Sequence, residues 1–351
     1  MNEVPLVIRP MTLGEILDKA IRLYRQNFLT FIGIFAIPYI PLVLIQMVIS
    51  VLYATTMLQP GFLEETDPTA AMGMGIATII GSLIFLIANF VLVSGFATAA
   101  ITRAVANNYM DKPIGILDSY RAITGSVWKL VLALLLSTIL LIVLVLWAII
   151  PVVGWLSGPG IFVFLALIVI PLIAPIASLE NLGVRQTMRR AWDMGRSRFW
   201  WLIGYALILA LLGQLIVTGP VYLLSAILQA IFFSMPDVSF EMQTIISNII
   251  SNLVNMALGL LYTPLQLTMM TVVYFDLRAR NEGLDLALQL SSLNESQGES
   301  TALPEISNQQ PIPFMMGIDI GRFALLSLIG IALFGCYFIF IFTIVGALGA
   351  F

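Results

Sequence analysis

The stretch Met11–Phe31, MTLGEILDKAIRLYRQNFLTF, decides the fold of this chain. Thr12 and Glu15 have the spacing of a capping box, in which the hydroxyl takes an orphan amide of the first turn and the carboxylate reaches back to the cap. Met11 and Ile16 stand where a hydrophobic staple closes. Leu13, Ile16, Leu17, Ala20, Ile21, Tyr24 and Phe28 recur at helical spacing, with Glu15, Asp18, Lys19, Arg22, Arg25 and Gln26 mostly opposite. The pattern predicts an amphipathic helix lying on a membrane, its apolar side in the headgroup layer, that then turns into the bilayer.

The rest of the chain supplies the bilayer-crossing material. Its 351 residues are 60% hydrophobic and only 10% charged, and mean hydropathy is +1.02. That composition excludes a soluble globular protein and implies an all-α, polytopic membrane bundle. A span needs roughly 20 apolar residues. Seven stretches qualify: 28–57, 72–102, 128–150, 157–179, 199–233, 243–275 and 322–350. Several are long enough to require tilting or kinking. Pro38 and Pro41, Pro171 and Pro175, Gly219-Pro220 and Pro264 are the expected kinks. The first apolar run begins near residue 28 and is too long for a signal-peptide core.

Charge placement orients the spans. Arg9, Lys19, Arg22 and Arg25 precede the first, and the loop after it holds only Glu64, Glu65 and Asp67. Arg103, Lys112, Arg121 and Lys129 surround the second connection. Arg185, Arg189, Arg190, Arg196 and Arg198 follow the fourth span, and Arg278, Arg280 and Arg322 flank the last connection. All sixteen basic residues therefore fall on one side. The positive-inside rule makes that side cytoplasmic, with the N-terminus in, the C-terminus out and the protein in the plasma membrane (the bacterial inner membrane).

The opening stretch recurs in reduced form. PIGILDSYRAITGSVWKL from Pro113 and NLGVRQTMRRAWDMGRSRFWWLIGY from Asn181 each place a basic amphipathic segment before an odd-numbered span. Gly14, Gly115 and Gly183 lie near the start of the copies, and Phe28, Trp128 and Phe199 at the bilayer surface. Two readings stay open: a true repeat of three hairpins, or the pattern that any positive-inside hairpin shows. Residues 1–290 form the six-span domain in this reading. SSLNESQGESTALPEISNQQPIP, 291–313, is polar enough to be a flexible cytoplasmic linker. It separates 314–351, a terminal span, from the six-span domain, and whether that span packs on the domain stays open.

Four passages then carry a family resemblance: TLGEILDKAIRLYRQNF from Thr12, ATAAITRAV from Ala97 with the D-K-P-I-G turn after it, ENLGVRQTMRRAWDMGRSRFW from Glu180, and VVYFDLRARNEGLDL from Val272. In this order the chain resembles the membrane domain attached to some bacterial glycerophosphodiester phosphodiesterases. The resemblance covers roughly the six-span region and implies a membrane module linked to glycerophospholipid metabolism. The hydrolase barrel is absent from the sequence, so the resemblance implies no phosphodiesterase activity.

The chemistry-bearing residues are few. There is no histidine and one cysteine, Cys336. His-based triads, His-ligated metal or haem and a histidine pH switch are therefore excluded. No phosphate-binding glycine loop or zinc spacing is present, and no cofactor is expected. Arg185, Arg189, Arg190, Arg196 and Arg198, beside Trp192, Phe199, Trp200 and Trp201, suit anionic lipid headgroups, at about 1 kcal/mol per basic residue. Arg22 and Arg25 join them. The same residues also serve as topogenic anchors. Glu180, and after it Asp276, are the ionisable positions for a transport or proton path, with structural ion pairing as the plainer reading. Asn248, Asn252 and Asn255 give one polar face to the outer half of span six, suited to interhelical hydrogen bonds or to a path.

The expectation is a non-enzymatic integral membrane protein that organises lipids or partner membrane proteins, binding no nucleic acid. The alternative is a small transporter or channel subunit lined by kinked spans and the asparagine face of span six.

Overall fold

The computed structural model describes residues 11–57, 68–110, 114–180, 182–235, 238–282, 313 and 315–348. Among them the regular structure is entirely helical. Helices α1 (Leu13–Gln26) and α2 (Phe28–Met57) come first. A long rod follows, made of α3 (Pro68–Asn89), a π-helical stretch (Phe90–Ala97) and α4 (Thr98–Tyr109). Next are α5 (Ile116–Arg121) and α6 (Val127–Trp147). Then α7 (Val153–Phe164) runs through π-helical Leu165–Val169 into α8 (Ile170–Leu179). After α9 (Val184–Ser197), α10 (Phe199–Gly213) passes through π-helical Gln214–Thr218 into α11 (Gly219–Phe233). Helices α12 (Phe240–Glu282) and α13 (Gly317–Leu348) complete the order.

Six helical segments among the described residues are long and apolar enough to cross a membrane: Phe28–Val51, Gly75–Tyr109, Val127–Trp147, Val153–Leu179, Phe199–Phe233 and Met242–Asn281. They match the first six expected spans. The seventh falls on α13, a continuous helix of 32 residues. The fold is thus an all-α membrane bundle. The 291–312 linker and the acidic loop bearing Glu64, Glu65 and Asp67 lie outside the described residues.

The prolines act differently from simple kinks. A proline lacks an amide proton and its ring crowds the carbonyl four residues back. For Pro171 that carbonyl is Leu167 and for Pro220 it is Ile216, and both sit inside π-helical stretches. The wider turn accommodates the ring within a continuous rod. The first π-helical stretch has no proline; there the Thr98 hydroxyl donates to the Val93 carbonyl at 3.1 Å. One tight corner is strained. Val152, between α6 and α7, has φ 65°, and the Val153 amide donates to the Pro151 carbonyl at 2.8 Å. This is a γ-turn around a β-branched residue.

The three amphipathic segments share a structural register, counted from their N-caps. Their N-caps are Thr12, Gly115 and Gly183, with φ/ψ of −73/166°, −72/170° and −75/162°. Glu15 closes the expected capping box: the Thr12 amide donates to its carboxylate at 2.7 Å, and the Glu15 amide to the Thr12 hydroxyl at 3.4 Å. Gln186 supplies half of the same box, accepting from the Gly183 amide at 3.2 Å. Counted from each cap, positions four, eight and twelve are buried in every copy: Ile16, Ala20, Tyr24; Ser119, Ile123, Val127; Thr187, Ala191, Gly195. Positions nineteen and twenty-two are buried as well: Phe31 and Ile34, Leu134 and Ser137, Leu202 and Tyr205. The first copy therefore aligns through Thr12, two residues before Gly14. Copies one and three match most fully. Both have a 14-residue helix, a break at Asn27 (φ −118°, ψ 25°) or Arg198 (φ −132°, ψ 47°), and a span opening with Phe28 or Phe199. Copy two keeps only the six-residue α5 and a run of turns before α6.

The apolar side of α1 is divided: its central line faces protein, while Ile21 and Phe28 are exposed. Ile16, Ala20 and Tyr24 pack into the protein core, and α1 lies against α12. Burial against protein is available because α12 from Thr268 to Ala279, at its basic end, is a buried rod. Tyr24 donates to the Leu261 carbonyl at 2.8 Å.

The terminal helix, whose packing the sequence leaves open, is attached to the bundle. It packs along α7, and a Cβ on Gly160 would lie 2.0 Å from the Phe323 carbonyl oxygen. Only glycine allows that approach. The Gly160 amide donates to the Ser327 hydroxyl at 2.7 Å. Phe323 packs among Phe164, Trp192 and Phe199, with ring centroids 5.3–5.7 Å apart.

Candidate functional site

The polar groups converge at the end of the bundle that carries the arginines. There α4, α8 and the last turns of α12 are almost wholly buried, with α1 and α9 packed around them. Buried charges require partners, and three carboxylates are closed in this way.

Glu180 terminates α8. Its Oε2 accepts from Arg190 Nε at 2.5 Å and its Oε1 from the Tyr274 hydroxyl at 2.7 Å. Arg278 Nε lies 4.0 Å away, and its guanidinium donates to the Tyr274 oxygen at 3.4 Å. Nearby, Arg103 of α4 donates to the Ser178 carbonyl at 2.9 Å. One acid thus ties the end of α8 to the middle of α9 and to the basic end of α12.

Asp276 is fully buried in α12. It accepts from the Met11 amide at 2.7 Å, from Arg280 Nε at 2.9 Å and from Arg198 at 3.5 Å. Arg280 also donates to the Met11 carbonyl at 2.7 Å. Both backbone groups of the residue before the α1 cap are therefore clamped by one Asp–Arg pair. Burial lowers the affinity of the Arg198 guanidinium for its proton, Arg280 lowers it further, and Asp276 opposes both. Lys19 sits 3.9 Å from the Tyr109 ring centre, and Tyr109 stacks on Phe275 at 4.7 Å.

The third carboxylate, Asp319, was not among the expected site residues. It accepts from Arg196 at 2.6 Å and from the Met316 amide at 2.9 Å. Arg196 also reaches Asp193 at 3.0 Å and the Pro313 carbonyl at 3.2 Å. Arg322 approaches Asp319 at 3.5 Å and lies over the Phe199 ring. The available signal was Asp319 with Arg322, the only charges from Gly317 to Leu348 and one helical turn apart.

The geometry divides the expected headgroup arginines. Arg190, Arg196 and Arg198 are engaged inside the protein. Arg189 pairs with Asp193 at 2.8 Å on a partly open surface. Arg185, Arg22 and Arg25 are exposed. Asp18, Ile21, Arg22, Arg25 and Gln26 line an open depression on α1.

The asparagine face of span six is not drawn into this layer. The Asn248 amide donates to the Thr244 carbonyl at 2.9 Å within its own helix. Asn252 is partly buried and Asn255 exposed, and among the described residues neither makes a side-chain hydrogen bond. Ser251 is 3.4 Å from Ser225 of α11. Glu180 and Asn252 thus belong to separate regions. Among the described residues no group of three potential metal ligands converges.

Compared with models of protein families, with curated proteins and with solved structures, the chain matches none.

Proposed function

We propose that this protein is a non-enzymatic integral membrane module that organises lipids or other membrane proteins around its basic end. The observation that supports this most is the engagement of the buried carboxylates. Glu180, Asp276 and Asp319 each hold two or more helices through arginine, tyrosine or backbone donors. A general acid or a proton relay needs a carboxyl group open to substrate or water, and these are committed to structure. In the positive-inside orientation, the exposed Arg22, Arg25 and Arg185 lie toward the cytoplasmic leaflet, where anionic lipids attract them. The resemblance to the membrane domain of glycerophosphodiester phosphodiesterases gives the same reading its metabolic setting: a module beside glycerophospholipid chemistry.

The test is native mass spectrometry of the detergent-extracted full chain with lipids retained. The expected outcome is co-purifying anionic phospholipid that falls severalfold in the Arg22→Gln, Arg185→Gln variant. Retention equal in wild type and variant would overturn the lipid side of the reading.

A further inference from the structure

Copies one and three share their register, yet only copy three is covered. Counted from the caps, Ile21, Arg25 and Phe28 occupy the positions of Trp192, Arg196 and Phe199. In copy three all of these meet the start of α13. Asp319 takes Arg196, and Phe323 packs on Trp192 and Phe199. Those three residues are 8%, 5% and 2% exposed. In copy one Ile21 is 40% and Phe28 37% exposed, and Leu29 beside it 81%. Arg25 is exposed, lines the open depression and makes no ion pair among the described residues.

We infer that this face of copy one receives a transmembrane helix from another polypeptide, one whose first turn at the basic end carries an Asp or Glu followed four residues later by an aromatic ring. The inference rests on the membrane-organising reading above and names the kind of partner. The chain's own α13 supplies the pattern, since Asp319 and Phe323 are one helical turn apart and point along one face. Aligned on it, the incoming carboxylate meets Arg25 while the ring settles against Ile21 and Phe28. Charge is compatible with the same occupant. Asp18 and Arg22 stand where copy three has Arg189 and Asp193, so that neighbouring pair is reversed with its net charge kept, and Arg25 remains the guanidinium that corresponds to Arg196. Opposite charges across such an interface set register and suppress wrong partners.

The experiment uses the full chain in lipid nanodiscs, with benzoylphenylalanine in place of Leu29 as a photo-crosslinking reporter. The probe is a synthetic peptide of residues 315–335 of this chain, added from the same lipid. The expected result is a crosslink to the peptide that drops roughly tenfold or more for the Asp319→Asn peptide, the size typical of removing one partner of a desolvated charge pair. Arg25→Gln in the protein should give the same loss. Arg25→Glu should abolish labelling by the original peptide and restore it for an Asp319→Lys peptide. Unchanged thermal unfolding of both Arg25 variants establishes that the fold is intact. Labelling confined to phospholipid, labelling indifferent to these charge changes, or labelling only when the reporter stands at Trp200 beside α13, would overturn the inference. Any of these with lipid retention through Arg22 and Arg185 intact removes the helix site and leaves the broader reading standing.

Discussion

The two ends of this bundle are built on different physics. At the basic end, α4, α8 and the final turns of α12 bury nearly every side chain, apolar and charged alike. At the other end, α3, α11 and the outer part of α12 leave their large apolar residues outward. Of the most apolar stretch in each span, 61% is buried in Val153–Leu179, against none in Gly75–Tyr109 and 6% in Phe199–Phe233. Hydrocarbon tails cover outward-facing leucines as well as protein does, so the outer layer needs little interhelical packing. The basic end must instead satisfy every charge it buries. Specificity therefore concentrates where the charges are, and the outer helices mainly span.

The sharpest way to break the contrast is to leave one charge of the basic end unpaired. Asp276→Leu strands Arg198 and Arg280 and releases Met11. A loss of about 3–5 kcal/mol is expected, read as a lower midpoint of thermal unfolding in detergent. A change under ~1 kcal/mol would show that water screens Asp276 from its partly exposed arginine partners in practice.

Gly160→Leu tests the attachment of α13. The side chain meets the Phe323 backbone with no room to move, an overpacking penalty of roughly 1–3 kcal/mol or more. Amide exchange in the first turns of α13 should rise while α4 stays protected.

The cap of α1 carries less. Thr12→Ala should cost about 1 kcal/mol. Tyr24 adds a pH dependence of known sign. Burial raises its phenol from 10 to about 12, so its contribution is complete below pH 10 and is lost as pH climbs through about 12. In Tyr24→Phe that alkaline loss should disappear from the unfolding curve.

The smallest effect belongs to the outer layer. Leu215 is 74% exposed, and Leu215→Ala should shift stability by no more than ~0.5 kcal/mol. A larger shift would mean that a protein surface, and not lipid, covers α10–α11.

Much of this was legible along the chain. The Thr12–Glu15 box, the Arg189–Asp193 and Arg196–Asp193 pairs, and six of the spans follow from local spacing, because helical neighbours lie three or four residues apart. Glu180 and Asp276 were recognisable as charges at span ends with structural pairing as the plain reading. Their partners were not: Tyr274 is 94 residues from Glu180 and Met11 is 265 from Asp276, distances at which no periodicity connects them. A glycine does lie near the start of each copy, but the exact register needed the structure, since Gly14 lies inside its helix whereas Gly115 and Gly183 are caps.

The sequence by itself determined that this is a helical membrane protein, where six of its spans lie and that its basic residues cluster between alternate spans. Hydrophobic length and charge alternation are local quantities that a linear chain carries whole. Only the tertiary structure decided what the opening stretch Met11–Phe31 does. The Ile16, Ala20 and Tyr24 line of its apolar face meets protein, with the residue before its cap held by the buried Asp276 and by Arg280. Only the tertiary structure, too, showed that α13 covers the third copy of that stretch and leaves the same face of the first copy open.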